Sequence, residues 1–119
     1  MNKPAFVQKL NHAISLELAA CIQYNQYSIV LTGADRRVWQ ELFEKMSDGG
    51  LKDARKFGFY VVALGGTPTI EAAPIKQATN IQDMLENALA HERALVDAYN
   101  DALTEVQDHT AFRNIIEEQ

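Results

Sequence analysis

Three stretches of this chain, residues 4–31, 35–64 and 80–106, space their apolar residues by alternating steps of four and three. That period lays one apolar stripe along a helix, and a stripe of such length is buried only against other helices. In the first stretch the stripe reads Leu10, Ile14, Glu17, Cys21, Tyr24, Ser28 and Leu31. The second reads Trp39, Phe43, Met46, Gly50, Asp53, Phe57, Tyr60 and Leu64. The third reads Ile81, Leu85, Ala88, Glu92, Leu95, Tyr99, Ala102 and Val106. The pattern predicts an all-α bundle in a single domain, residues 1–119.

The breaks between stripes set the topology. Thr32-Gly33 stops the first helix, Gly33 being suited to a left-handed C-terminal position, and Asp35 is placed to cap the second. Gly65-Gly66 ends the second helix and Thr67-Pro68 prevents its continuation. Residues 65–79, with Pro68 and Pro74, form a connection able to reach roughly 50 Å when extended. That is enough to run the length of a 30-residue helix, so a crossover is expected between helices two and three rather than a hairpin. Asn80 begins the third helix, with Asp83 three positions on as in a capping box. Asp108-His109-Thr110 reads as a turn, and residues 111–119 start a fourth helix, cut short before it returns to mid-bundle.

Each stripe carries a polar intrusion at its middle. Glu17 lies about as far before the first turn as Gly50 lies after it, so antiparallel helices bring them to one height. Glu92 also falls near mid-length. Inward carboxylates on neighbouring helices are costly alone and sensible around a cation; the alternative is a cavity rim or an Arg or Lys partner. The adjacent Gly49 and Gly50 cost the second helix roughly 1 kcal/mol each relative to Ala.

Several segments then resemble one family. Glu17-Leu18-Ala19-Ala20-Cys21-Ile22-Gln23-Tyr24, Leu42 to Asp48, Ala54-Arg55-Lys56-Phe57, Ala63 to Pro68, and Leu89 to Leu95 with Tyr99 are similar to the ferritin-like superfamily, bacterioferritins and rubrerythrin-like proteins above all. The resemblance implies a four-helix bundle with a di-iron carboxylate site, one Glu from each of two helices and a Glu-x-x-His from each of the others. It implies Glu17 and Glu92 as the lone-Glu ligands, and Tyr24 as a tyrosine near the metals. In the second helix Gly50 stands where the bridging Glu belongs and Asp53 where the His belongs. Leu51 replaces the Met that ligates haem in bacterioferritins, so no haem is expected. Residues 115–119 resemble the approach to the last Glu-x-x-His without reaching it, which leaves open a longer natural chain or a protein without that pair.

The metal ligands expected are therefore Glu17, Asp53 and Glu92, with iron as the ion. Two functions stay open: iron oxidation or storage of a ferroxidase kind, and a degenerate bundle serving structure or protein interaction. A formal charge of −5 provides no basic stripe for nucleic acid or anionic membrane. The longest apolar run, around residues 57–64, is too short to span a bilayer. The single Cys21 fits a reducing compartment, and with polar residues interrupting any leader-like N-terminus the cytoplasm is expected. Cys21 itself reads as a buried packing residue. His91, about 100° off the stripe, reads as solvated or at an interface, and so do His12 and His109; Glu44 and Asp48 read as surface acids. Val30, Val61 and Val62 near apolar flanks suggest at least a homodimer.

Overall fold

The computed structural model describes residues 2–106. It contains three helices and no strand among them: α1 (Lys3–Val30), α2 (Arg36–Ala63) and α3 (Ile81–Leu103). The expected fourth helix lies outside the described residues.

The boundaries follow from local chemistry. Asn2 caps α1, its Oδ1 accepting from the Ala5 amide at 3.1 Å, and Pro4 sits in the first turn, where its missing N–H costs nothing. Gly33, with φ of +105°, turns the chain into α2. Asp35 occupies the N-cap position as expected, but its side chain makes no capping bond. The end of α2 is a Schellman motif: Gly66 N–H donates to the Val61 carbonyl and Gly65 N–H to that of Val62, with Gly65 at φ +87°. Asn80 caps α3 through a 2.9 Å bond from the Asp83 amide, and its own amide donates to the Asp83 carboxylate at 2.8 Å.

Residues 65–79 are a crossover, as their length predicts, and run alongside α1. Asn11 brackets the start, donating to the Thr67 carbonyl and accepting from Thr69 N–H. Ala73 N–H then donates to the Ser15 carbonyl, and Lys76 N–H to Gln23 Oε1. Tyr27 finally donates to the Lys76 carbonyl. The partners on α1 advance from 11 to 27, so the connection climbs the bundle and α3 descends antiparallel to α1.

This path makes α1 the centre of the described fold. It packs against both α2 and α3, whose backbones do not approach one another. With α2, α3 and the crossover around it, α1 buries residues on most of its sides, from Phe6 and Leu10 to Gln23 and Tyr27. Large side chains bridge the diagonal between α2 and α3. Phe57 meets Tyr99 with ring centroids 5.5 Å apart, and Phe43 packs into one cluster with Met84 and Ala88. At the lower end Lys9 pairs with Asp101 of α3 at 3.3 Å and with Glu105, just past the helix end, at 2.9 Å.

The faces turned inward differ from the expected stripes. α2 buries Phe43, Ser47, Gly50, Ala54, Phe57 and Val61; α3 buries Met84, Ala88, His91, Leu95, Ala98 and Ala102. Both series keep the four-three step but pass one residue to the side of Met46, Asp53 and Tyr60, and of Leu85 and Glu92. The physical reason is that each helix turns its seam toward α1 rather than toward a common bundle axis. Val61 is consequently core and Val30 packs against core, leaving only Val62 of the three valines exposed. Cys21 is half-buried rather than buried.

Candidate metal centre

At mid-height α1 and α2 come into backbone contact. A Cβ built on Gly50 would lie 2.8 Å from the Glu17 carbonyl oxygen and 3.0 Å from the Cys21 nitrogen. One turn earlier, Ser47 Oγ donates across the interface to the Cys21 carbonyl at 2.7 Å. Ser47, Gly50 and Ala54 thus form a small-residue face that lets the helices close. Gly50 does share the level of Glu17, as the turn arithmetic requires. The place where a bridging Glu would sit is occupied by the backbone of α1, so no pocket awaits a larger side chain. At Gly49, by contrast, a Cβ would meet nothing within 4 Å.

Beside this contact Glu17 is only 3% exposed, and its Oε2 has no hydrogen-bond partner. Burial, followed by the nearby Asp53 carboxylate, pushes its pKa from 4.5 to about 9. At neutral pH the acid is therefore protonated, a donor toward Asp53, while the Tyr99 hydroxyl acts as donor toward Glu17. Asp53, half-buried on the flank of α2, is brought to Glu17. Glu92 is exposed on α3 rather than buried in its seam, yet it belongs to the same neighbourhood: Tyr24 donates to Glu92 Oε1 at 2.9 Å, and its charge acts on Glu17. Tyr24 and Tyr99 are held well above the ordinary phenol range, burial being the first cause and the surrounding carboxylates the next. Both remain neutral donors.

Asp53 and Glu92 are thus both close enough to act electrostatically on Glu17. Among the described residues, no three His, Cys, Asp or Glu side chains converge as a group able to hold a metal ion. What is assembled is a buried Glu17 beside a half-buried Asp53, with Glu92 near them and a phenol attached to each glutamate.

Two residues have roles the expected stripes did not reveal. His91 is buried, not solvated; its ring stands edge-on to Tyr24 and its Nε2 lies 2.7 Å from the Leu16 carbonyl. A carbonyl can only accept, so Nε2 carries the proton and Nδ1 the lone pair. The Met84-Ala88-His91-Leu95 spacing was the available signal, as regular as the stripe one residue over. Tyr99 was legible as an apolar-stripe aromatic, but its hydroxyl contact with Glu17 needed the packed helices. His12 is exposed, and Glu44 and Asp48 line an open groove with Asn25, Ser28 and Ser47. His109 lies outside the described residues.

A family model described as the ferritin-like domain matches residues 7–119. No curated protein matches the sequence. Among solved structures, a ferritin-like di-iron carboxylate protein of Bacillus anthracis superposes with a TM-score of 0.93 at 25% identity, over 98% of this chain and 85% of that one. A dodecameric thioferritin, the bacterioferritin-related protein of Bacteroides fragilis, gives 0.90 at 19% identity, over 99% of this chain and 77% of that one; at that identity the likeness concerns the fold alone.

Proposed function

The chain belongs to the ferritin-like family, and from that premise we propose that it binds iron as cargo or substrate through Glu17, Asp53 and Glu92. The observation that carries the reading is Glu17: a carboxyl buried to 3% exposure, with one oxygen unpartnered, beside a second carboxyl. Two ionised carboxylates side by side out of water would repel; a proton on Glu17 relieves this in the metal-free protein, and a cation would take that proton's place. An all-oxygen donor set suits hard ions, Fe(III) among them, and also accepts the borderline Fe(II). When bound, Fe(II) supplies an electron to O₂ or peroxide and becomes Fe(III).

The residues' own parts in this follow from their contacts. Glu17 gives up its proton as a cation enters, since only the carboxylate is a good ligand. Asp53, freed of the hydrogen bond from Glu17, would offer its carboxylate to the ion. Tyr24 holds Glu92 and Tyr99 holds Glu17, so each phenol restrains a carboxylate that would otherwise rotate away. Three carboxylates are a sparse set, suited to one ion held weakly with waters completing its shell, rather than to two held firmly.

Anaerobic Fe(II) titration followed by O₂-uptake measurement tests the proposal. The expected result is saturable binding at neutral pH that is lost in a Glu17→Ala, Glu92→Ala double variant. Binding and oxidation equal to that control would sink it. The second reading, a bundle without iron turnover, is favoured by one observation, the absence of room at Gly50 for a bridging carboxylate. Protein that stays iron-free after growth in iron-rich medium supports it. In either case we propose a homo-oligomer located in the cytoplasm. Ile22 and Ile29 on α1 and Leu51, Phe59 and Val62 on α2 are exposed apolar residues that a second copy would cover. A monomer in light scattering counts against this.

A further inference from the structure

On the flank of α2 opposite Asp53, a groove of about 340 Å³ opens between α1 and α2, lined by Asn25, Ser28, Ile29, Glu44, Ser47 and Asp48. Glu44, Asp48, Leu51, Arg55, Phe59 and Val62 advance along α2 by steps of four and three. They therefore form one stripe, which starts at the groove and runs on toward the C-terminal end of the helix. Charge changes sign along it, acidic at Glu44 and Asp48 and basic at Arg55, with Leu51 between. Asp48 and Arg55 are separated by about 10 Å of helix axis. Among the described residues, neither they nor Glu44 make an ion pair, and all three side chains are exposed. The far end of the stripe is apolar: Phe59 is 69% exposed there, and Ile29 in the groove wall is 66% exposed. A stripe that is acidic and grooved at one end, basic and aromatic at the other, complements its own reverse.

We propose that the groove receives a second copy of this chain, antiparallel to the first and related to it by a two-fold axis crossing α2 near Leu51. The inference rests on the homo-oligomer reading above and assigns it a face and a register. Positions equally far from the axis, on opposite sides of it, come level. Arg55 lies four residues past Leu51 and Asp48 three before it, so the partner's Arg55 arrives beside Asp48. Phe59 lies eight past and Glu44 seven before, so the partner's Phe59 enters the groove where Ile29 stands across from Glu44. Leu51 meets its own copy at the axis. The symmetry makes each contact twice and closes the interface, leaving no complementary end for further addition along this face. The two ion pairs give the register, and the aromatic and aliphatic side chains give the area removed from water.

Sedimentation equilibrium of the full chain and its charge-reversed variants tests this. The wild type is expected to associate into dimers or multiples of them. Asp48→Arg and Arg55→Asp each place like charges opposite one another twice, and each is expected to weaken association about tenfold or more. The double variant reverses the pairing without losing it and is expected to associate as the wild type does. An equimolar mixture of the two single variants is expected to recover association as well. Such rescue excludes a folding defect as the cause of the loss. A wild type that stays monomeric overturns the homo-oligomer reading and this interface with it, leaving the groove to solvent or to another protein. A wild type that assembles, with both single variants assembling equally well, overturns the interface alone and moves the contact to another face. Loss in the single variants without recovery in the double variant also overturns the pairing.

Discussion

Replacing Glu17 by Gln keeps the side chain's shape and a donor toward Asp53 while removing the acid. In the metal-free protein, burial and the Asp53 carboxylate raise the Glu17 pKa from 4.5 to about 9. The fold therefore favours the protonated form. Below pH 4.5 folded and unfolded chains both hold the proton, and Glu17 costs nothing. As pH rises the unfolded chain releases it first, so stability falls until about pH 9 and is level beyond. Each pH unit in that window is worth about 1.4 kcal/mol. At pH 7, about 2.5 units above the ordinary value, the wild type carries a penalty of about 3 kcal/mol that the Gln variant escapes. Urea unfolding in the presence of a chelator, at several pH values from 4 upward, measures this. The two proteins should coincide at the acid end and diverge with pH, the variant's midpoint reaching roughly 1–3 M higher near neutrality. Fe(II) should then reverse the order, because only the wild type gains a ligand by losing its proton. Parallel pH–stability curves would falsify both the buried-acid assignment and the reason for placing a cation there.

The adjacent glycines should respond with opposite sign. Gly49→Ala meets open space and should stabilise by about 1 kcal/mol, whereas Gly50→Ala drives a methyl into the α1 backbone and should cost about 1–2 kcal/mol net of its gain in helix propensity; thermal melts of the pair decide this. Gly50→Glu, which restores the family's residue type, should lower stability further and leave Fe(II) affinity no better, as calorimetric titration would reveal; tighter iron binding by that variant would mean that α1 and α2 separate readily. Asn80→Ala removes the cap of α3 and should cost about 1 kcal/mol in the same melts, with no pH dependence between 5 and 8. Tyr24→Phe should leave folding within about 2 kcal/mol of wild type yet release Glu92, so its effect should be larger on iron binding than on stability.

Much of the fold was legible along the chain because it depends on local chemistry. The cap at Asn80, the glycine stops at Gly33 and Gly65, and the reach of residues 65–79 are properties of a few neighbouring residues, and the helix limits and the crossover follow from them; Asp35 marks the start of α2 without making the capping bond its type suggests. The equal height of Glu17 and Gly50 was legible too, since counting from a short turn needs no packing. The rotation of each helix was not. On α2 and α3 two stripes one residue apart satisfy the same four-three period, and only contact with α1 chooses between them. That choice makes Ser47, Ala54, Val61 and His91 core and turns Glu92 outward onto Tyr24.

For the site, the sequence by itself determined which acids exist at mid-bundle and that α2 carries neither the bridging carboxylate nor the imidazole of the family pattern. The tertiary structure decided what those differences mean. Gly50 is not a gap, because the Glu17 carbonyl and Cys21 amide nitrogen lie where its side chain would begin. Glu17 holds its proton to about pH 9 because α1 is enclosed by α2, α3 and the crossover, and desolvation is a property of the surroundings that no single residue carries.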